Sequence, residues 1–202
     1  MSETILKDLI EEFEKEVVLK LMDIHSETER YLYFMAWLNT RLEEHGLGRI
    51  IIVGGFAVEV LTGATYRTLD IDIVIEGVRA KGITENFLIH ISKPRTSRVF
   101  LPKLRAIASK GIDIVGTSYS KVTKPIKLRI NNLIVYVEAC EELILTYLMG
   151  WKYWESLEDR DKVYALIKVY WDKVNRDYIL NEAKKKKVFD KLKEILEDLG
   201  YE

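Results

Sequence analysis

The feature that most constrains this chain is the stretch IIVGGFAVEVLTGATYRTLDIDIVIEG, residues 51–77. RIIIV (49–53) reads as a buried strand that stops at two glycines. FAVEVL, after Gly55, has the length and composition of a short helix ended by Gly63. LDIDIVI reads as a second strand, and it carries Asp70 and Asp72 with one isoleucine between them. Successive strand side chains face opposite ways, so Asp70 and Asp72 share one face while Ile71 and Ile73 share the other. Two carboxylates about 7 Å apart along one strand face repel each other unless something positive lies between them. A hard divalent cation answers that need. Mg²⁺, or Mn²⁺ in its place, takes one or two carboxylates and completes its shell with water and substrate phosphates. Gly54 and Gly55 supply the complement, a backbone without side chains that opens a helix whose N–H groups can face a phosphate. Each half has a plain reading by itself. Strands often end in Gly-Gly, and two aspartates on a solvent-facing strand can simply be solvated. Together, in this order and spacing, they are the equipment of phosphoryl or nucleotidyl transfer.

The rest of the chain supplies a scaffold. Ile5, Leu6, Leu9, Ile10, Phe13, Val17 and Leu21 recur at helical spacing over residues 3–22. Ser26, with Glu29 three residues on, is a capping box for a second helix. Leu32, Phe34, Met35, Leu38 and Leu42 form its apolar face, and HGLG stops it. TENFLIHI reads as a helix capped by Thr84, KPRTSR as a basic loop, LPKLRAIAS as helical and GIDIVG as a short strand. IKLRI and LIVYVEA flank Asn131–Asn132 as a hairpin. From Glu141 onward the pattern is helical, with breaks near Ser156 and Asn175. The expected class is α+β: a mixed β-sheet core with two N-terminal helices over residues 1–140, and a helical C-terminal region over 141–202 packed on that core.

Composition excludes several alternatives. At 202 residues, 48% hydrophobic and 31% charged, the chain can bury a sizeable core and is not a disordered segment. A net charge of −1 gives no overall basic field to draw nucleic acid, although a local patch remains open. A single cysteine, Cys140, rules out an internal disulfide framework and fits a reducing, cytoplasmic setting. The acidic, amphipathic start does not read as a signal peptide, and no apolar run reaches membrane-spanning length. The absence of glutamine beside abundant Lys and Glu suggests a thermophilic source.

VGGFAVEVLTGATYRTLDIDIVI resembles the signature of the nucleotidyltransferase superfamily with the DNA polymerase beta fold. The form GGFAV…RTxDIDI is most similar to the branch containing the abortive-infection (AbiEii-like) toxins and related small prokaryotic proteins. The matching residues are Gly54, Gly55, Arg67, Thr68, Asp70 and Asp72. The resemblance implies Mg²⁺-dependent transfer of NMP from an NTP to an acceptor: RNA, a protein hydroxyl or a small molecule. A toxin-like role follows from the same likeness. Asp70 and Asp72 would ligate metal, with Gly54, Gly55, Arg67 and Thr68 near the nucleotide. It also implies a third carboxylate on a neighbouring strand, for which Asp113 in KGIDIVG is the candidate and Glu138 in IVYVEAC its rival. VYVEACEELILTYLMGWKYWESLEDRDK resembles the continuation of the same pattern, with Glu141, Glu142, Leu143 and Ile144 in register and Asp161 at a later acidic position. The lysine expected there falls on Tyr147, and Lys152, about one and a half turns later, is the substitute for contacting the triphosphate. A solvated helix face explains Glu142, Lys152 and Asp161 as well.

Other residues offer less. His25, His45 and His90 lack metal-ligand spacing, Ser118 and Ser120 have no base nearby, and Cys140 has no catalytic context. Lys184–Lys187 read as a solvated helix face. Trp37, Trp151, Trp154, Trp171, Tyr147, Tyr153 and Tyr170 recur at near-helical spacing and read as core. SKPRTSR (92–98), with Lys103 and Arg105, is either a plain basic loop or a place for an acceptor nucleic acid or a triphosphate tail. Against the enzyme stands a non-catalytic binding module of the same fold, which the missing lysine at 147 favours.

Overall fold

The computed structural model describes residues 2–94 and 98–201. Two compact units emerge. The first gathers residues 1–56, 68–120 and 125–137, and the second 57–67, 121–124 and 138–202.

The first unit is built on a five-stranded mixed sheet of β1 (Arg49–Val53), β2 (Asp70–Glu76), β3 (Gly111–Gly116), β4 (Ile126–Ile130) and β5 (Leu133–Val137), in the order β3-β2-β1-β5-β4. β1 runs antiparallel to β2 and parallel to β5, β2 runs parallel to β3, and β4 and β5 form the expected hairpin. Ile50, Ile51 and Ile52 are buried on β1, as are Ile71, Ile73 and Ile75 on β2, so the sheet carries the apolar content its sequence announced.

Helices α1 (Ser2–Glu12) and α2 (Val18–Asp23) form one long rod interrupted by a π-helical turn at Phe13–Val17. Helix α3 (Glu27–Glu44) starts where Ser26 accepts a hydrogen bond from the Glu29 amide at 3.4 Å. Phe13, Phe34, Trp37 and Phe87 pack ring on ring at 5.4–6.3 Å between centroids, tying α3 and α5 (Val78–Ile91) to the rod. Asn39 stitches α3 to the sheet, donating to the Ile134 carbonyl and accepting from the Ile50 amide. Glu12 accepts from Arg41 and from the Trp37 ring N–H. Burial, the largest influence on the Glu12 carboxyl, pushes it up, but those donors together hold it below its ordinary value.

Three local readings are corrected. Helix α5 begins at Val78, not at Thr84, which lies buried in mid-helix. The stripe Ala80, Ile83, Phe87 and Ile91 continues backward through Gly82, and tertiary burial outweighs that glycine's poor propensity. LPKLRAIAS holds only the short turn Arg105–Ile107. Its backbone is engaged instead with the end of α5: Lys103 donates to the Ile91 carbonyl, and Lys93 to that of Leu101, each at 2.9 Å. On the second helix, Leu32 is half-buried, while Tyr31 and the run Phe34–Thr40 carry the burial.

The second unit contains α6 (Cys140–Trp154), α7 (Leu157–Tyr170), α8 (Arg176–Lys185) and α9 (Phe189–Asp198), with most of α4 (Gly54–Leu61). The expected breaks are helix caps: Ser156 accepts from the Asp159 amide and Asn175 from the Tyr178 amide. Gly150 lets α7 approach, since any Cβ there would strike the Asp159 carboxylate. Trp151, Trp171 and Tyr147 are buried, but Tyr153 and Trp154 are exposed, contrary to their reading as core. Both stand at the last turn of α6, where the chain reverses through Glu155 at φ 54° and the apolar stripe outruns the packing. No described helix is long and apolar enough to cross a membrane.

Candidate active site

The site is set by strand register. Val53, the last residue of β1, lies opposite Asp72, so Gly54 and the start of α4 follow directly beside the aspartate. On the other side of β2, Asp72 pairs with Asp113 and Asp70 with Gly111 in a parallel ladder. In-register residues of parallel strands project from the same face. Asp70, Asp72 and Asp113 therefore share one face at one end of the sheet. Burial rises across it, from exposed Asp70 through half-buried Asp72 to Asp113, which is 4% exposed. Glu138, the other candidate third carboxylate, belongs to the second unit and lies 3.6 Å from Lys121.

Glycines shape the walls. Gly54 has φ +66°, and a Cβ built on it would stand 2.9 Å from Asp72 Oδ2. The residue must adopt a left-handed backbone and must leave room for a carboxylate, which only glycine does without strain. A Cβ on Gly55 would stand 3.0 Å from Thr68 Oγ1, so Thr68 closes against the first turn of α4. Thr68 Oγ1 also accepts from the Asp70 amide at 3.5 Å. Gly111 mirrors Gly54: a Cβ there would meet Asp70 Oδ1 at 2.8 Å and collide with Val99. Each of the two β2 aspartates thus has a bare glycine beside its carboxylate.

Two cations reach this site: Arg98, from the basic loop in which the sequence offered a place for a triphosphate tail, and Lys110, which the sequence did not single out. Arg98 Nε lies 2.6 Å from Asp113 Oδ2 as an ion pair. Lys110, almost wholly buried, donates to the Thr68 carbonyl, lies 3.4 Å from Glu27, and sits 5.6 Å over the Phe56 ring. It ties the loop entering β2 to the base of β3. Arg98 belongs to the basic loop 92–98, of which residues 95–97 lie outside the described residues. Among the described residues, no three His, Cys, Asp or Glu side chains are drawn together as a ready metal cage. The donor chemistry nevertheless suits a hard cation: carboxylate oxygens on one face, with space beside them that any Cβ would fill.

The remaining sequence candidates lie in the second unit. Arg67 is exposed. Lys152 donates to Asp190 at 2.6 Å, and Asp161 accepts from Arg160 at 3.1 Å. Tyr147, where a lysine was expected, has the Lys162 ammonium 4.5 Å from its ring centroid, so a cation reaches that place from α7. Glu142 is buried and accepts from Tyr178 and from the Thr123 amide.

Neither a protein-family model nor a curated protein matches the chain. Solved structures do. An antigenic nucleotidyltransferase-like protein from Paracoccidioides brasiliensis superposes with a TM-score of 0.50 at 15% identity, covering 81% of this chain and 90% of its own. This chain has a nucleotidyltransferase-like fold. The antibiotic-resistance factor ANT(2'')-Ia also matches, with a TM-score of 0.43 at 13% identity over 79% of this chain and 89% of its own.

Proposed function

We propose that this chain is a metal-dependent nucleotidyltransferase that moves NMP from an NTP to an acceptor. The observation that carries the reading is the register that puts Asp70, Asp72 and Asp113 on one sheet face beside Gly54. The fold shared with a nucleotidyltransferase-like protein supports it. Asp70, Asp72 and Asp113 would hold Mg²⁺ or Mn²⁺, which neutralises phosphate charge during in-line displacement. Gly54 and Gly55 leave the helix N-terminus open to the triphosphate, and Thr68, pinned by Lys110 through its carbonyl, holds the approach to Asp70. The acceptor hydroxyl bonds to the α-phosphorus as the bond to the bridging oxygen breaks. Pyrophosphate leaves, and the hydroxyl proton passes to Asp113. The finer likeness to abortive-infection toxins makes RNA the first acceptor to try, ahead of protein and small molecules.

A non-catalytic module is the second reading, and the Arg98–Asp113 pair favours it, since the third carboxylate is compensated without metal. Incubation with each labelled NTP, Mg²⁺ or Mn²⁺, and total RNA or protein decides between them. Label transfer lost on Asp70→Asn plus Asp72→Asn supports the enzyme. No transfer to any acceptor class supports the module.

A further inference from the structure

A carboxylate as buried as Asp113 is costly without a cation, and its partner here is unusual for a structural pair. The Asp113 side chain is 6% exposed, whereas the Arg98 side chain is 79% exposed. An arginine fixed for stability would ordinarily bury its stem as well as its head. Arg98 instead reaches the carboxylate from a segment anchored just beyond it, where Phe100 exchanges backbone hydrogen bonds with Ile112 of β3 at 2.8 and 2.9 Å. That anchor keeps Arg98 within reach of the site while its side chain remains largely in water.

We infer that Arg98 is a displaceable counter-cation: it neutralises Asp113 in the ion-free protein, competes with the divalent cation for Oδ2, and once displaced turns its guanidinium to the phosphates of the incoming nucleotide. The inference rests on the nucleotidyl-transfer reading. It follows from three properties. A buried carboxylate takes the best cation offered. A solvent-exposed guanidinium loses little when it leaves such a pair, because water re-solvates it. A guanidinium is also a natural partner for phosphate oxygens, which it can grip through two parallel N–H donors. Arg98 would thereby make metal entry and nucleotide entry cooperative, since each gives the other's rival partner somewhere better to go.

The test uses the full chain and Mn²⁺ alone, titrated calorimetrically. Arg98→Gln is expected to tighten Mn²⁺ binding about tenfold, the scale of removing one close charge competitor. Lys103→Gln removes the same charge from the same region without the contact, and is expected to change affinity less than about twofold. In an Asp113→Asn background, Arg98→Gln should no longer alter Mn²⁺ affinity, because the pair is already gone. With a non-hydrolysable NTP added, Arg98→Gln should weaken nucleotide binding several-fold even though the metal binds more tightly. Unchanged or weaker Mn²⁺ binding by Arg98→Gln, or an effect equal to that of Lys103→Gln, overturns the inference and leaves the metal site standing. Failure of the wild type and every variant to bind Mn²⁺ overturns the metal reading as well.

Discussion

Two buried carboxylates, one in each unit, are held in opposite ways. Asp113 on β3 is ion-paired with an exposed arginine. Glu142 on α6 accepts from the Tyr178 hydroxyl at 2.7 Å and the Thr123 amide at 2.9 Å, both parts of its own unit's framework. Burial, the largest influence on Glu142, raises its carboxyl, yet Tyr178, Thr123 and Lys121 together bring it below the ordinary value. The hydrogen bonds to Glu142 thus come from neutral donors of its own unit, with the Lys121 charge acting beside them. Asp113 is compensated by a charge whose own side chain is largely exposed. The contrast separates a carboxylate held by its own unit's framework from one paired with an exposed charge, and it assigns Glu142 to structure.

The strongest way to break this contrast is to remove the carboxylate face. Asp70→Asn combined with Asp72→Asn should abolish Mn²⁺ binding and all label transfer, while thermal stability in EDTA stays level or rises as like-charge repulsion is relieved. Calorimetric Mn²⁺ titration beside a melting curve checks both halves. Equal Mn²⁺ binding by the double variant and the wild type would end the site assignment.

The single substitutions should then part company. Asp113→Asn is expected to lower the transfer rate by orders of magnitude with a small effect on melting, since an amide still fits the space and the NTP still binds through β2 and the glycine turn. Glu142→Ala should do the reverse. It leaves the Tyr178 hydroxyl and the Thr123 amide without their acceptor, and should cost about 1–3 kcal/mol of stability at unchanged Mn²⁺ affinity. Denaturant unfolding and Mn²⁺ titration of both variants test the pair. Loss of metal affinity in Glu142→Ala would erase the distinction.

The legible and illegible parts of the site divide along a physical line. Strand periodicity placed Asp70 and Asp72 on one face, because alternation is local. The breaks at Ser156 and Asn175 were readable because a cap needs only a side chain three residues from an amide. Asp113 was a candidate, but its position opposite Asp72 depends on which strands neighbour β2, and pairing is long-range. Lys110 was missed for the same reason, and Arg98 was read only as part of a basic loop, without its pairing to Asp113. Neither lies in a periodic element, and each acts across the chain on a group 15 or 42 positions away, by the difference of the residue numbers 113 and 98, and 110 and 68. The start of α5 and the exposure of Trp154 misled because local pattern could not show where packing begins or ends.

A smaller effect belongs to the glycine wall. Gly54→Ala forces a left-handed backbone on alanine and brings its Cβ to 2.9 Å from Asp72 Oδ2, which should cost about 1–2 kcal/mol. Because the crowded atom is a candidate metal ligand, Mn²⁺ affinity should fall too. A variant that melts earlier yet keeps wild-type Mn²⁺ affinity would confine Gly54 to a turn-forming role.

The smallest expected effect sharpens the Glu142 side of the comparison. Tyr178→Phe removes one donor and keeps the ring, so its cost at neutral pH should be about 1 kcal/mol. Its pH dependence is more telling than its size. Glu142 has a carboxyl lowered in the folded state, so it contributes stability above its unfolded value that is lost as pH falls through the folded one. Removing the Tyr178 hydroxyl takes away the largest influence that lowers it, and moves the folded value back up toward the unfolded one. The gap in stability between wild type and Tyr178→Phe should therefore be widest at neutral pH and narrow as the solution is acidified through the carboxylate range. Urea unfolding of both proteins from pH 7 down to about pH 3 measures it. A gap that stays constant across that range would mean the hydroxyl acts through packing or another partner, and that Glu142 is not the carboxylate it stabilises.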